Sequence, residues 1–350
     1  MTISDAPVER DSPITPPRRA GRRNVVDPTE AAAAPDAAAL GRLANSPWEI
    51  PWHGWKRVLR RTMRQMVSDQ VPLVAAGCAF YATLALFPAI SILVSVYGLV
   101  FNPVMVTRHL QVLQDLIPSS AFVLFAQRVH ELLSKPHRAL TLGLAVSIGI
   151  TLWSSTIGTR SMLSALNLAY EERERRSVLR FQATAMTMTL VAILGAALGL
   201  VLLVALRPAL VFLGVTRHVL FVLVRIAGTG ALAAFVVAAL SLLYRFGPCR
   251  RPARWRWVAP GVLLATVLWL IASSLFSFYV GRLSAYDAMY GSLGAVAGVM
   301  MWFYVTAYVV LLGAELNAEL ELQTVHDSTG GQPRPIGRRG AYVADHVVRD

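Results

Sequence analysis

This sequence predicts an all-α fold: a polytopic membrane protein with six transmembrane helices, a proline-kinked first span and short amphipathic helices in the first outer loop. Three observations carry that prediction. Of 350 residues, 55% are hydrophobic and only 15% charged, whereas soluble globular chains carry about a quarter charged residues; mean hydropathy is +0.52. Charge is absent from whole stretches of roughly 20 residues, enough to cross about 30 Å of hydrocarbon at about 1.5 Å per residue. The 33 Lys and Arg residues, against 20 Asp and Glu for a net charge of +13, gather between apolar runs. That pattern orients a membrane chain and meets anionic lipid headgroups; no nucleic-acid partner is expected.

Residues 1–46, rich in Pro, Ala, Arg and Asp, read as a disordered tail. The first apolar run begins only near Leu73, so no cleavable secretory signal is expected. The six-helix membrane domain is placed at 47–322 and opens with an interfacial element. In "WHGWKRVLRRTMRQM" (52–66), Trp55, Val58, Leu59 and Met66 fall near one helical face and the cations largely elsewhere, as in a helix lying on the inner leaflet. Arg57, Arg60 and Arg61 are its expected headgroup contacts, with Arg250, Arg251 and Arg254 in a later loop. Residues 323–350, with "GGQPRPIGRRG", read as a second disordered tail.

The spans are expected at about Leu73–Phe101, Leu140–Ala165, Ala183–Leu206, Val219–Tyr244, Val258–Val280 and Gly291–Ala314. Each must be helical, because lipid offers backbone polar groups no other partner. Cations mark the connections after spans 2 and 4 (Arg173, Arg175, Arg176, Arg180; Arg250, Arg251, Arg254, Arg256), while the opposite connections are poorer, so both termini are expected inside. In the long connection 102–139, Val106, Leu110, Leu113 and Ile117 stand at helical spacing. After Pro118, so do Phe122, Phe125, Val129 and Leu132. These two amphipathic helices either cover the outer mouth or float among headgroups.

Several residues could carry function. Pro88 removes a helical N–H in span 1 and crowds the preceding turn, while Ser91 and Ser95 continue its face. The structural reading, a tolerated kink, competes with a gate or pathway wall. Arg160, close to Ser154, Ser155, Thr156 and Asn167, and Arg225 in span 4 place cations within apolar runs, at about 2.5–3.5 kcal/mol each near a bilayer centre. Arg225 either snorkels or pairs. On the last span Tyr304, Tyr308, Glu315 and Glu319 share one face; Glu319 and Glu321 lie past the apolar run and are expected in headgroups and water. Glu315 is expected to face the interior, with Arg160 as first candidate partner. Gly294 and Gly298 form a GxxxG that permits close helix contact. Cys78 and Cys249 give no disulfide framework, and no metal, cofactor or nucleophile motif appears.

Four blocks carry a family resemblance: "AAGCAFYATLALFPAISILVSVYGL" (75–99), "SALNLAYEERERRSVLRF" (164–181), "LLYRFGPCRRPARWRWVAPG" (242–261) and "YGSLGAVAGVMMWFYVTAYVVLLGAELNAELE" (290–321). Together they resemble the YihY/BrkB family of bacterial inner-membrane proteins. Ala85 departs from the family, which often has serine three residues before the proline. The resemblance implies six spans, both termini cytoplasmic, and labels ranging from virulence factor to ribonuclease. No soluble domain is present to hold a nuclease site, so no enzymatic activity is expected. The leading expectation is a transporter- or exporter-like protein for envelope-related or hydrophobic molecules, with no substrate named by the motifs; the alternative is a non-transporting envelope scaffold. The bilayer, its anionic headgroups and further copies of the chain are the expected partners.

Overall fold

A computed structural model describes residues 25–100, 142–212, 217–282 and 292–348. The expected outer amphipathic helices of 102–139 lie outside the described residues, as do the side chains of Ser91 and Arg225. A short α1 (Pro28–Ala33) and a 3₁₀ turn (Pro47–Glu49) precede α2 (Trp52–Ser68). Six long helices follow: α3 (Val71–Val100), α4 (Leu142–Ala169), α5 (Val178–Phe212), α6 (Arg217–Phe246), α7 (Trp255–Arg282) and α8 (Ser292–Glu321). A one-turn α9 (Tyr342–Asp345) closes the chain, and β1 (Val25–Val26) pairs antiparallel with β2 (Val347–Val348). Among the described residues, four helices carry segments long and apolar enough to cross a membrane: Val178–Gly199, Ile226–Phe246, Trp255–Phe278 and Val296–Glu321. The α2–α3 pair adds a fifth if counted as one bent span.

The helix ends follow from local chemistry. Between α2 and α3, Gln70 adopts a left-handed backbone (φ 51°), and the two axes diverge by 63°. α2 is thereby turned away from the axis of α3. At the end of α4 the Glu171 backbone is also left-handed (φ 56°). Its N–H donates to the Leu168 carbonyl at 3.0 Å, and that of Glu172 to the Asn167 carbonyl at 2.7 Å. That is a Schellman closure built without glycine, so the neighbourhood must offset about 1–2 kcal/mol of strain. Pro88 lies within α3, half-buried, and the helix runs through it.

With no hydrophobic drive between helices in lipid, contact depends on small residues and polar ties. Gly158 of α4 packs against the Ala82 backbone of α3, where an added Cβ would lie 3.0 Å from Cα. Gly261 of α7 and Gly313 of α8 meet backbone to backbone. The core gathers toward one end of the bundle, where Leu166, Tyr170, Tyr244, Val262, Leu311 and Ala318 are buried together.

That end is capped by residues from 25–50 and 323–348, so the described parts of the two expected tails are folded. The Gln323 amide donates to the Leu40 carbonyl at 2.7 Å, the Thr324 hydroxyl to Ala44 at 2.6 Å, and the Val325 N–H to Arg42 at 2.9 Å. The Arg254 N–H donates to Ser328, and the Gly330 N–H to Pro252. Within 323–348, Asp345 collects the N–H groups of Gly337, Arg339 and Gly340, and Arg339 donates to the Val325 and Ala344 carbonyls. The polar, glycine-rich composition read as disorder supplies turn donors and acceptors that only distant segments could satisfy. Residues 1–24 lie outside the described residues.

Candidate functional site

The polar stretch closing α8 lies at the capped end, and all of it is buried: Glu315, Asn317, Glu319 and Glu321 are at most 1% exposed. Glu319 and Glu321 are thus not in headgroups and water. Arg61 reaches back from α2, its Nε donating to Glu319 Oε2 at 2.8 Å and its Nη2 to the Gln323 side chain. Arg250 donates through both terminal nitrogens to Glu321, at 2.7 and 3.0 Å, and lies over the Tyr170 ring at 4.2 Å. The Ser328 hydroxyl also donates to Glu321, at 2.6 Å. Arg61 and Arg250, expected at lipid headgroups, are therefore buried in ion pairs, because an arginine removed from water requires a carboxylate beside it. Burial alone would push the Arg250 guanidinium down; Glu321 and Tyr170 opposite it win and hold it above its ordinary value. Burial likewise raises the Tyr170 hydroxyl, against the pull of Arg250.

Of the other expected headgroup arginines, Arg254 donates to the Thr329 carbonyl at 3.0 Å and Arg251 to that of Gln332 at 3.3 Å, so both serve the cap. Arg60 is exposed and Arg57 partly so.

Asn317 ties α8 to α7. Its Oδ1 accepts the Gly261 N–H at 2.8 Å, and its Nδ2 donates to the Val258 carbonyl at 3.1 Å. One amide thus brackets the turn of α7 that Pro260 disturbs by lacking an N–H. Beside it the Tyr244 hydroxyl donates to the Val310 carbonyl at 2.7 Å, in the space left by Gly313. Neither Asn317 nor Tyr244 stands out in the sequence as a site residue. The proline of α7 was the signal that could have pointed to a side-chain partner.

Asn167, placed by sequence near a polar pathway, instead anchors loops. Its Oδ1 accepts the Cys249 N–H at 2.7 Å and its Nδ2 donates to Glu174 at 2.9 Å. Glu174 also takes Arg176, and that pairing holds its carboxyl down to about 2. Glu172 is pushed up by burial and accepts the Tyr342 N–H at 2.6 Å, joining the α4–α5 connection to the C-terminal segment.

Above this layer, Tyr304 and Tyr308 are half-buried with ring centroids 6.3 Å apart. Arg160 is half-buried on α4, and its Nε has no hydrogen-bond partner among the described residues. On the same helix, α4 and α5 share a hydroxyl-and-amide seam: Gln182 donates to Thr156 at 2.9 Å, and Thr159 meets Thr189 at 2.7 Å. The Ser161 hydroxyl donates to Cys78 Sγ on α3 at 3.4 Å. Glu315 is fully buried, near Tyr170 at the end of α4.

A family model described as Virulence factor BrkB matches residues 62–336. The chain belongs to the BrkB family. The match runs from the middle of α2 through α8 and into the C-terminal cap, so cap residues as well as spans fall within the BrkB pattern. Among curated relatives, a ribonuclease-like protein, YfkH of Bacillus subtilis, is 32% identical over 251 residues, covering 70% of this chain and 88% of that protein. A UPF0761 membrane protein of Ralstonia nicotianae is 25% identical over 284 residues, 79% of this chain and 60% of the relative. Another, of Methylibium petroleiphilum, is 24% identical over 289 residues, 82% and 67%. No solved structure matches the chain.

Proposed function

We propose that this BrkB-family membrane protein is a transporter- or exporter-like protein of the bacterial inner membrane, acting on envelope-related or hydrophobic molecules that carry an anionic group. The observation that carries the reading is Arg160: a half-buried cation on a long helix, its Nε without a hydrogen-bond partner among the described residues, on the same helix as the Thr156 and Thr159 that bond to Gln182 and Thr189 of α5. Such a charge is expensive in lipid, and a substrate anion would offset its cost.

Six spans with both termini cytoplasmic fit the cap. The connections 170–177 and 247–254 and both terminal segments hydrogen-bond to one another, so α3–α4, α5–α6 and α7–α8 each leave that side and return to it. Their arginines orient that side inward. No enzymatic activity is proposed. The ribonuclease-like wording in the Bacillus relative's name is not extended to this chain, because Glu319 and Glu321 are already engaged by Arg61 and Arg250.

The test is flux of a fluorescent fatty-acid anion, and of its neutral alcohol analogue, into liposomes holding the purified protein. The unaltered chain is expected to accelerate the anion over protein-free vesicles, and Arg160→Gln to remove that acceleration at least tenfold. Flux equal to protein-free vesicles for both probes would end the transport reading. The second reading, a scaffold, would then stand on the folded cap, whose outer surface presents exposed Arg173, Arg175 and Arg338.

A further inference from the structure

We infer that α2 is a docking surface for an anionic lipid leaflet, built as a helix with three distinct faces. One face is protein: Val58, Arg61, Thr62, Gln65 and Met66 are buried, and Arg61 is fastened to Glu319 of α8. The second is an uncovered apolar stripe. Trp52, Leu59, Met63 and Val67 fall within about 80° of one another at 100° per residue, and they are 64%, 37%, 52% and 77% exposed. The third is a row of exposed cations four residues apart, which begins at Lys56 inside the arc of the stripe and winds out of it through Arg60 and Arg64.

The occupant is identified by continuity and charge. The exposed stripe runs on into the uncovered apolar side chains of α3, Leu73, Phe80 and Leu84, which belong against acyl chains. Exposed Val178, Leu179 and Trp255 stand at the capped ends of α5 and α7, and Trp48 stands just ahead of α2. Tryptophan at helix ends marks the headgroup level of a membrane. A helix turned 63° from α3 at that level sets its apolar stripe among the upper acyl carbons. Its cation row then meets lipid phosphates, at about 1 kcal/mol per cation on an anionic surface. Arg61, buried on Glu319, joins the lipid-bound helix to the end of α8.

The inference is independent of transport. In a chain with Cys78→Ala and Cys249→Ser, Met63→Cys would carry an environment-sensitive fluorophore, with Val67→Cys as a second site should the first fold poorly. Nanodiscs of phosphatidylcholine, alone or with one third phosphatidylglycerol, supply the leaflet. Lipid-borne doxyl groups are expected to quench the label several-fold more than aqueous iodide, and more in the anionic discs. The triple variant Lys56→Gln, Arg60→Gln, Arg64→Gln should lose the anionic increment and keep the doxyl quenching. Dominant iodide quenching, or equal quenching in both lipids for the unaltered cation row, would overturn the inference; in the first case the face is water-exposed and open to a soluble partner.

Discussion

Asn317 shows how much one side chain decides here. It satisfies a donor and an acceptor of α7 at a turn where Pro260 has removed an N–H, and it does so from another helix. Replacing it by alanine removes both bonds from a buried helix contact, at about 0.5–1.5 kcal/mol each. Gly313→Ala should be at least as damaging, since the new Cβ would lie 2.7 Å from the Gly261 carbonyl oxygen and against the Tyr244 hydroxyl. In thermal unfolding of the detergent-solubilised chain, both variants should melt several degrees lower. Met301→Ala, on an exposed position of the same helix, should melt close to the parent. Equal melting of all three would mean that α7 and α8 do not meet as described.

Elements are joined at the capped end by two buried ion pairs, Arg61–Glu319 between α2 and α8 and Arg250–Glu321 between the α6–α7 connection and α8. Removing one partner of a buried pair leaves an uncompensated charge and costs about 3–5 kcal/mol, whereas replacing both by apolar residues of similar size is often near neutral. Arg250→Met alone should therefore reduce the folded yield sharply on size-exclusion chromatography. Arg250→Met with Glu321→Leu should recover most of it. A double variant no better than the single would show that Glu321 does not depend on Arg250. The helices themselves were legible from hydrophobic run length. The partners of Glu319 and Glu321 were not, because Arg61 and Arg250 lie 258 and 71 residues away in sequence.

Across the whole molecule, the cap makes a statement about topology that can be tested directly. Cysteines introduced singly at the exposed positions Arg173, Arg256 and Arg338, in the chain without Cys78 and Cys249, should all react with an impermeant maleimide in inverted membrane vesicles. None should react in right-side-out spheroplasts. Sites that divide, some reacting only in inverted vesicles and others only in spheroplasts, would break the hairpin pairing of α3–α4, α5–α6 and α7–α8. Composition already placed this chain in a membrane, and alternating basic connections had suggested which ends share a side. The cap was read as disorder because glycine, proline and arginine without an apolar period carry no local signal for a fold.

By itself, the sequence determined class and membership: an apolar, charge-poor helical membrane protein whose residues 62–336 match the BrkB family. Backbone hydrogen bonding in lipid is local to each helix, so run length suffices to find it. The tertiary structure alone decided which charges are solvated and which are spent. Arg60 faces outward, while Arg61 beside it is buried on Glu319, and the acids that close α8 form an interior rather than a water-facing end. Pairing of buried charge is non-local: a carboxylate takes whichever cation the fold brings to it, and one step along α2 changes the face by about 100°.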